Sequence, residues 1–467
     1  MSGRRIGFVS LGCAKNLLDS ELMLGHLRRA GWEFVRDPAE ADVIVVNTCA
    51  FIEAAREESI ETVLEAARLK HKGRLRRLVV AGCMVQRYAA ELRRELPEVD
   101  EFVDLDGIDA IVAHVAGPRR RRLPPGDLPL VGRAALPAAA PVASTYLYDR
   151  NTPRLRTTPP WTAFVKVAEG CDHACAFCAI PAFRGRFRSR PPDDVVGEAE
   201  RLASEGVREI NLVAQDTSHY GRDLGLRDGL ADLLRRLDGV AALRWIRLHY
   251  LYPNTITPRL IAAMAGAERV VRYVDMPLQH AHPATLRRMR RGGSAGSHLR
   301  LLDRFRRAMP EVALRTTLIV GFPGETEHEF STLLDFVRRA RFDHLGAFTY
   351  SHEEGTAAHA LADDVPADVK AERRERLLEA QRAIAVERNA AWLGRRVEVL
   401  VEGAHAETEH LLVGRTARQA PEVDGQVLIR DGSARPGDFV QVELARTAGY
   451  DLVGSIVGAA AAAGAGR

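Results

Sequence analysis

The feature that most narrows the fold of this chain is a group of three cysteines, Cys171, Cys175 and Cys178, at Cys-x3-Cys-x2-Cys spacing. That spacing fits within one tight loop, so all three sulfurs can converge on a single centre. A 4Fe-4S cluster usually takes four thiolates, in runs unlike this one, and no cysteine follows Cys178 to serve as the fourth. A cluster held by three thiolates leaves one iron open to a substrate or cofactor. Zinc is the competing reading: a Cys3His site would recruit His173 or another histidine, although zinc motifs typically come as separated pairs. Buried structural cysteines are the third reading, and the polar pair Asp172-His173 between them is out of place in a core.

The remaining three cysteines repeat one pattern. Buried-strand runs starting at Ile6, Asp42 and Leu78 end at Cys13, Cys49 and Cys83, and helix-like segments follow over about Leu17–Ala30, Ala50–Leu69 and Gln86–Leu96. Strands alternating with helices imply a parallel sheet whose functional edge is at the strands' carboxyl ends. A lone cysteine after a strand is more often an inert core residue than a ligand. Three at equivalent positions predict a second shared metal site, again with three thiolates.

Further along, the strand-helix alternation resumes near Pro159, and about six units follow up to Tyr350. Six are too few for a complete eight-fold barrel, so an open partial barrel is expected, with its site on the loops after the strands. From Arg396 the pattern changes to short strands, which predict a small all-β barrel. The fold class is therefore α/β: an N-terminal parallel-sheet domain, a central partial (β/α)6 barrel and a C-terminal β-barrel. The predicted boundaries are 1–116 for the first domain, 117–158 for a basic Ala/Pro-rich linker, and 159–388 for the central domain. The small barrel takes 389–458, and 459–467 are an Ala/Gly-rich tail expected to be disordered. Arg119–Arg122 in the linker could grip phosphates, but a flexible basic tether is the favoured reading.

With 467 residues, 27% of them charged, the chain suits a soluble protein of two or three domains. No apolar run approaches a membrane span, and Met1-Ser-Gly-Arg-Arg leads directly into a strand, so a cytoplasmic location is expected. Six cysteines in a chain this long argue against a disulfide scaffold.

The Cys171–Cys178 run resembles the signature of the radical S-adenosylmethionine (SAM) enzymes. Their open iron chelates SAM, which the reduced cluster cleaves to a 5'-deoxyadenosyl radical. The resemblance implies that Phe177 packs near the adenine and that the turn Gly321-Phe-Pro-Gly-Glu-Thr326 contacts SAM through Gly321, Gly324 and Glu325. A Gly-Pro turn opening a helix needs no ligand, and that alternative stands beside it. Over nearly the whole chain, all six cysteine positions included, the arrangement is similar to the methylthiotransferases: a cluster domain, a radical SAM domain and a TRAM domain in this order. This resemblance implies two 4Fe-4S clusters and SAM as cofactors, an external electron donor, and insertion of a methylthio group into an unactivated C–H bond.

Gln215-Asp-Thr-Ser-His-Tyr-Gly221, Arg247-Leu-His-Tyr-Leu-Tyr-Pro253 and Gly414–Gly425 resemble the RimO-type branch, which acts on an aspartate β-carbon of the small-subunit ribosomal protein numbered twelve. Methylthiolation of a tRNA adenosine is the alternative, and a non-catalytic zinc- and RNA-binding protein is the alternative from another class. Charge bears on the choice. Residues 389–458 carry seven arginines against ten acids, a net −3, with Glu402, Glu407, Glu409, Glu422 and Asp424 in the first half. An acidic barrel suits a basic protein partner better than phosphates, although a merely solvated face would look the same, and Arg415 and Arg418 could still touch RNA. Asp216, His219 and Tyr220, after a predicted strand, are candidate substrate contacts; Gln279-His280 is similarly placed. Nothing suggests an obligate dimer, and a monomer is expected.

Overall fold

The computed structural model of the protein describes residues 4–117 and 143–457. They divide into two compact units, one holding residues up to Thr157 with Glu169–His173 and Cys178–Arg188, the other holding Thr158–Ala168, Ala174–Phe177 and the chain from Ser189 onward.

The first unit is built on a parallel sheet. Its strands are β1 (Arg5–Ser10), β2 (Glu33–Phe34), β3 (Val43–Thr48), β4 (Arg77–Gly82) and β5 (Glu101–Val103), in the order β2-β1-β3-β4-β5. Helices α1 (Ala14–Arg29), α2 (Glu53–Lys72), α3 (Cys83–Glu95) and α4 (Ile111–Ala116) connect them. A parallel sheet covered on both faces needs strands that are apolar throughout, and β3 and β4 supply this: Val43–Val46 and Leu78–Ala81 are all buried. The two edge strands β2 and β5 are short, which limits the unpaired backbone they present.

Of the expected linker, 118–142, with the four arginines, lie outside the described residues, as does the 459–467 tail. Residues 143–157 are not a tether. Tyr148 is buried in the first unit's core, Leu155 donates its N–H to the Glu21 carbonyl at 2.9 Å, and the Arg154–Glu21 ion pair closes at 2.6 Å with both side chains buried. The close approach of this segment is why α1 carries Gly25, where a Cβ would lie 2.3 Å from the Pro153 carbonyl oxygen.

The chain continues through β6 (Thr162–Lys166), β7 (Ala168–Glu169), α5 (Ile180–Arg184) and β8 (Arg188–Ser189). In the second unit β6 pairs with β9 (Glu209–Val213) and β9 with β10 (Trp245–Leu248), all parallel. A second parallel ladder joins β11 (Tyr273–Asp275), β12 (Ala313–Val320) and β13 (His344–Thr349). The bridge Ile246–Val270 links the ladders. Among the described residues β13 does not pair back onto β6, so the six-stranded barrel is open, as expected. Its helices are α6 (Pro192–Ser204), α7 (Gly229–Asp238), α8 (Pro258–Gly266), α9 (Pro283–Arg288), α10 (Ala295–Ala308), α11 (Glu327–Ala340) and α12 (Ala367–Ala390). Helix α11 starts at a capping box, in which Thr326 and Glu329 satisfy each other's backbone N–H.

Strands β14 (Arg396–His405), β15 (Thr408–Thr416), β16 (Val427–Asp431), β17 (Phe439–Ala448) and β18 (Asp451–Ile456) close a barrel in the order β14-β15-β16-β18-β17. Charge joins it to the partial barrel. Glu209, at the start of β9, accepts from Arg415 at 2.7 Å and pairs with Arg247 at 3.2 Å, all three side chains almost wholly buried. Burial opposes ionisation of Glu209, yet Arg415 and Arg247 outweigh it and hold its pKa at about 2. Asp343 likewise binds Arg418 at 2.5 Å and Arg388 at 2.9 Å. No helix among the described residues is long and apolar enough to cross a membrane.

Candidate active site

The first cysteine set is assembled by the sheet. Cys13 precedes α1 as its N-cap, Cys49 follows β3 directly, and Cys83 opens α3 directly after β4. All three lie at the carboxyl ends of neighbouring strands, and two lie at helix N-termini, whose dipoles favour thiolates. A network of short polar side chains fixes this edge. The Asn16 amide donates to the Leu11 carbonyl at 2.6 Å and to the Thr48 carbonyl at 3.3 Å, while its oxygen faces Cys83 Sγ at 3.7 Å. Asn47 donates to the Asn16 carbonyl at 2.9 Å, and Thr48 to the Ala81 carbonyl at 2.6 Å. Space is so restricted that Gly82, at φ +97°, could not bear a Cβ: it would stand 2.1 Å from Asn47 Oδ1.

Arg184 enters this network from α5. Its guanidinium donates to Cys83 Sγ at 2.9 Å, to Asp19 at 2.9 Å and to Glu169 at 3.0 Å, with only 4% of the side chain exposed. Electrostatics differs among the three thiols. Burial pushes Cys83 up to about 12 despite Arg184, and burial together with Cys13 raises Cys49. For Cys13, desolvation is outweighed by Lys15, Arg184 and the N–H groups of Asn16 and Lys15, and its pKa falls below the usual thiol value. Cys13 thus bears on both Cys49 and Cys83, and Cys49 on Cys83.

Cys171, Cys175 and Cys178 form the second set, all half-buried and none in a disulfide. Cys171 donates its N–H to the Gly185 carbonyl at 3.0 Å, and the Asp172 carboxylate accepts from the Phe187 N–H at 3.2 Å. Gly170, at φ +82°, makes the turn into this stretch, where a Cβ would meet the Arg186 carbonyl oxygen at 2.1 Å. In the second unit, the Ala176 N–H donates to the Met289 carbonyl at 2.9 Å, and the Ala176 carbonyl accepts from the Ala358 N–H at 2.7 Å. Arg291, which stacks on Tyr252, approaches Cys175 Sγ at 3.5 Å.

Phe177 and the 321–325 turn come together: Phe177 packs, half-buried, in a cluster with Ala176, Met289, Phe322 and Tyr350. Gly321 and Gly324 both take φ +72°, the left-handed region that glycine tolerates. Glu325 departs from the expected cofactor contact. Its buried carboxylate accepts from Gly321 N at 3.0 Å, pairs with Arg373 at 2.9 Å and lies 3.4 Å from His280. It shapes the turn from inside.

The candidate substrate residues separate. Tyr220 is 1% exposed and donates its hydroxyl to the Arg190 carbonyl at 2.8 Å, so it is a packing residue. Asp216 is buried and accepts from Ser218 Oγ at 2.5 Å; His219 remains half-exposed. The C-terminal acids also need correcting. Asp424 is fully buried, with Arg315 at 3.3 Å, and Glu402 is taken by Arg415 at 2.7 Å, so neither belongs to a free acidic face. The sequence reading missed Arg184, Arg291 and Asn16 altogether.

Three-thiolate sets at two places fit the chemistry of iron-sulfur ligation, since the donors are all soft and none is spent in a disulfide. Comparison with known proteins agrees. Residues 5–104 match the family described as "Uncharacterized protein family UPF0004", 165–337 match the radical SAM superfamily, and 393–457 match the TRAM domain. A radical S-adenosylmethionine methyltransferase, TsrM, from Kitasatospora setae shares the fold at a TM-score of 0.53 and 17% identity, covering 74% of this chain and 73% of that one. Proteins named "Ribosomal protein uS12 methylthiotransferase RimO" are much nearer. The one from Anaeromyxobacter sp. (strain K) is 51% identical over 97% of this chain and 93% of its own length. The one from Sorangium cellulosum (strain So ce56) is 48% identical over 98% and 92%. Identity of about half over nearly the whole length makes this chain a member of the ribosomal protein uS12 methylthiotransferase (RimO) family of radical SAM proteins.

Proposed function

We infer that this enzyme adds a methylthio group to the β-carbon of an aspartate in ribosomal protein uS12, using two 4Fe-4S clusters and SAM. The observation that carries the reading is that all six cysteines of the chain fall into two sets of three. Cys13, Cys49 and Cys83 would hold one cluster, and Cys171, Cys175 and Cys178 the other; in each, the missing fourth thiolate leaves a position for a non-protein ligand. When bound, these groups supply the one-electron chemistry and the sulfur that an unactivated C–H bond demands, beyond the reach of any side-chain acid or base.

The chain's own residues bind and orient. Asn16, Asn47 and Thr48 fix the strand ends that carry the first set. Phe177 offers an aromatic face beside the second, and Gly321 and Gly324 let backbone come close to a ligand there. Glu325 stiffens that turn, and the half-exposed His219 is left as the contact for the substrate.

Protein is favoured over tRNA as substrate because the two arginines that RNA would need are spent internally. Arg415 is held by Glu209 and Glu402, and Arg418 lies against Asp343 and the Trp392 ring. Glu407 and Glu422 remain exposed on the barrel and suit a basic ribosomal protein. The enzyme works as a cytoplasmic monomer fed by an external electron donor. Anaerobic incubation with SAM, a reductant and a peptide containing the target aspartate is the test. The peptide should gain the mass of a methylthio group in place of hydrogen. An unchanged peptide alongside a methylthiolated tRNA adenosine would overturn the assignment.

A further inference from the structure

We propose that Arg184 is a positioning residue for the first cluster: its guanidinium donates to the Cys83 sulfur and sets that cluster's reduction potential. The inference rests on Cys13, Cys49 and Cys83 being cluster ligands.

Three observations lead to it. The Arg184 side chain is buried, so its charge acts through a medium that screens it weakly. Two carboxylates from different elements, Asp19 on α1 and Glu169 on β7, hold the guanidinium at 2.9 Å and 3.0 Å and leave one of its N–H groups directed at Cys83 Sγ at 2.9 Å. A planar fork with donors fixed in direction suits this three-way task, and an ammonium does not. The acceptor that satisfies this buried N–H is the sulfur of a candidate ligand rather than a third oxygen.

Hydrogen bonds to ligand sulfurs, and nearby positive charge, stabilise the reduced, more negative state of an iron-sulfur cluster and raise its potential. Arg184 supplies both to one of the three ligands. It also stands six positions after Cys178, on the short helix that follows the second cysteine loop. The segment carrying the last ligand of one site thus also supplies the donor that tunes the other.

The test uses the full-length chain with C171A, C175A and C178A, reconstituted anaerobically so that only the first cluster gives an EPR signal. A redox titration of this parent is compared with the same chain carrying R184M or R184K. The midpoint should move to a more negative potential in R184M, with R184K between the two, because lysine keeps the charge but not the fork. A purely structural role would alter iron content without that graded shift. A parent holding no iron or sulfide overturns the ligand assignment and the role of Arg184 with it. A parent cluster whose potential is indifferent to R184M overturns the role of Arg184 alone. Should R184M fail to fold, the parent labelled with 15N-guanidino arginine answers the same question: a 15N hyperfine coupling to the reduced cluster is expected, and its absence overturns the proposal.

Discussion

The two cysteine sets solve one problem in opposite ways. The second set is local: three thiols on one loop, held by backbone hydrogen bonds and by the turn at Gly170. The first is collected from three strands spread over positions 13 to 83 and exists only when β1, β3 and β4 are in register. A site made by a loop tolerates a loose scaffold around it, whereas a site made by a sheet edge is as stable as the sheet. Buried amides and an arginine surround the sheet-edge set for that reason.

The sharpest way to break this comparison is to remove one thiol from each set. Cys83→Ala and Cys175→Ala should each cost about half of the bound iron, and each should abolish methylthiolation. They should differ in reductive cleavage of SAM, followed as release of 5'-deoxyadenosine, which Cys83→Ala retains and Cys175→Ala loses. Next in size is Glu209→Ala, which takes from Arg247 its buried carboxylate and leaves Arg415 with Glu402 alone. A loss of about 3–5 kcal/mol is expected from such a break, seen as a lowered thermal midpoint and as protease release of the C-terminal barrel, with the first cysteine set unaffected.

Titration gives a related contrast. Glu209 ionises in the fold at about pH 2, below the usual unfolded value of about 4.3. Its stabilisation is therefore complete above that unfolded value and is lost as pH falls towards 2. Unfolding measured across that range should lose this dependence in Glu209→Gln.

Gly82→Ala should be smaller, of order 1–3 kcal/mol for the strained backbone alone, with iron lost from the first site and the SAM-cleaving site spared. Equal loss from both sites would show that the first unit, which also carries Cys171 and Cys178, fails as a whole. Smallest is Thr326→Ala, which removes the α11 cap at a cost of about 1 kcal/mol, detectable by denaturant titration and expected to leave both iron sites loaded.

What could be read from the sequence follows the same division. The loop set is legible because its spacing is itself the structure. The sheet-edge set is legible because an apolar run ending in cysteine recurs three times. Strands β2 and β5 left no trace, since two or three residues cannot display a period. Arg184 was invisible for another reason: Ile180–Arg184 is a single turn of helix, and nothing in its pattern marks an arginine as buried. Asp424 and Tyr220 misled in the opposite direction. Each stands in a polar loop that reads as solvated, and each is enclosed once distant segments pack over it. The 143–157 segment looked like spacer because its apolar residues follow no period, yet Tyr148 finds a place in the core without one.

The Glu209 knot constrains how this protein could be re-engineered or could diverge. A carboxylate on a barrel strand and a guanidinium on the last module are a matched lock and key, and neither half is comfortable alone. Transplanting a foreign terminal module would leave Glu209 with Arg247 alone in a dry seam unless the incoming piece brought its own cation to that spot. Recombination at the end of α12 therefore joins cleanly only between chains that share this pair.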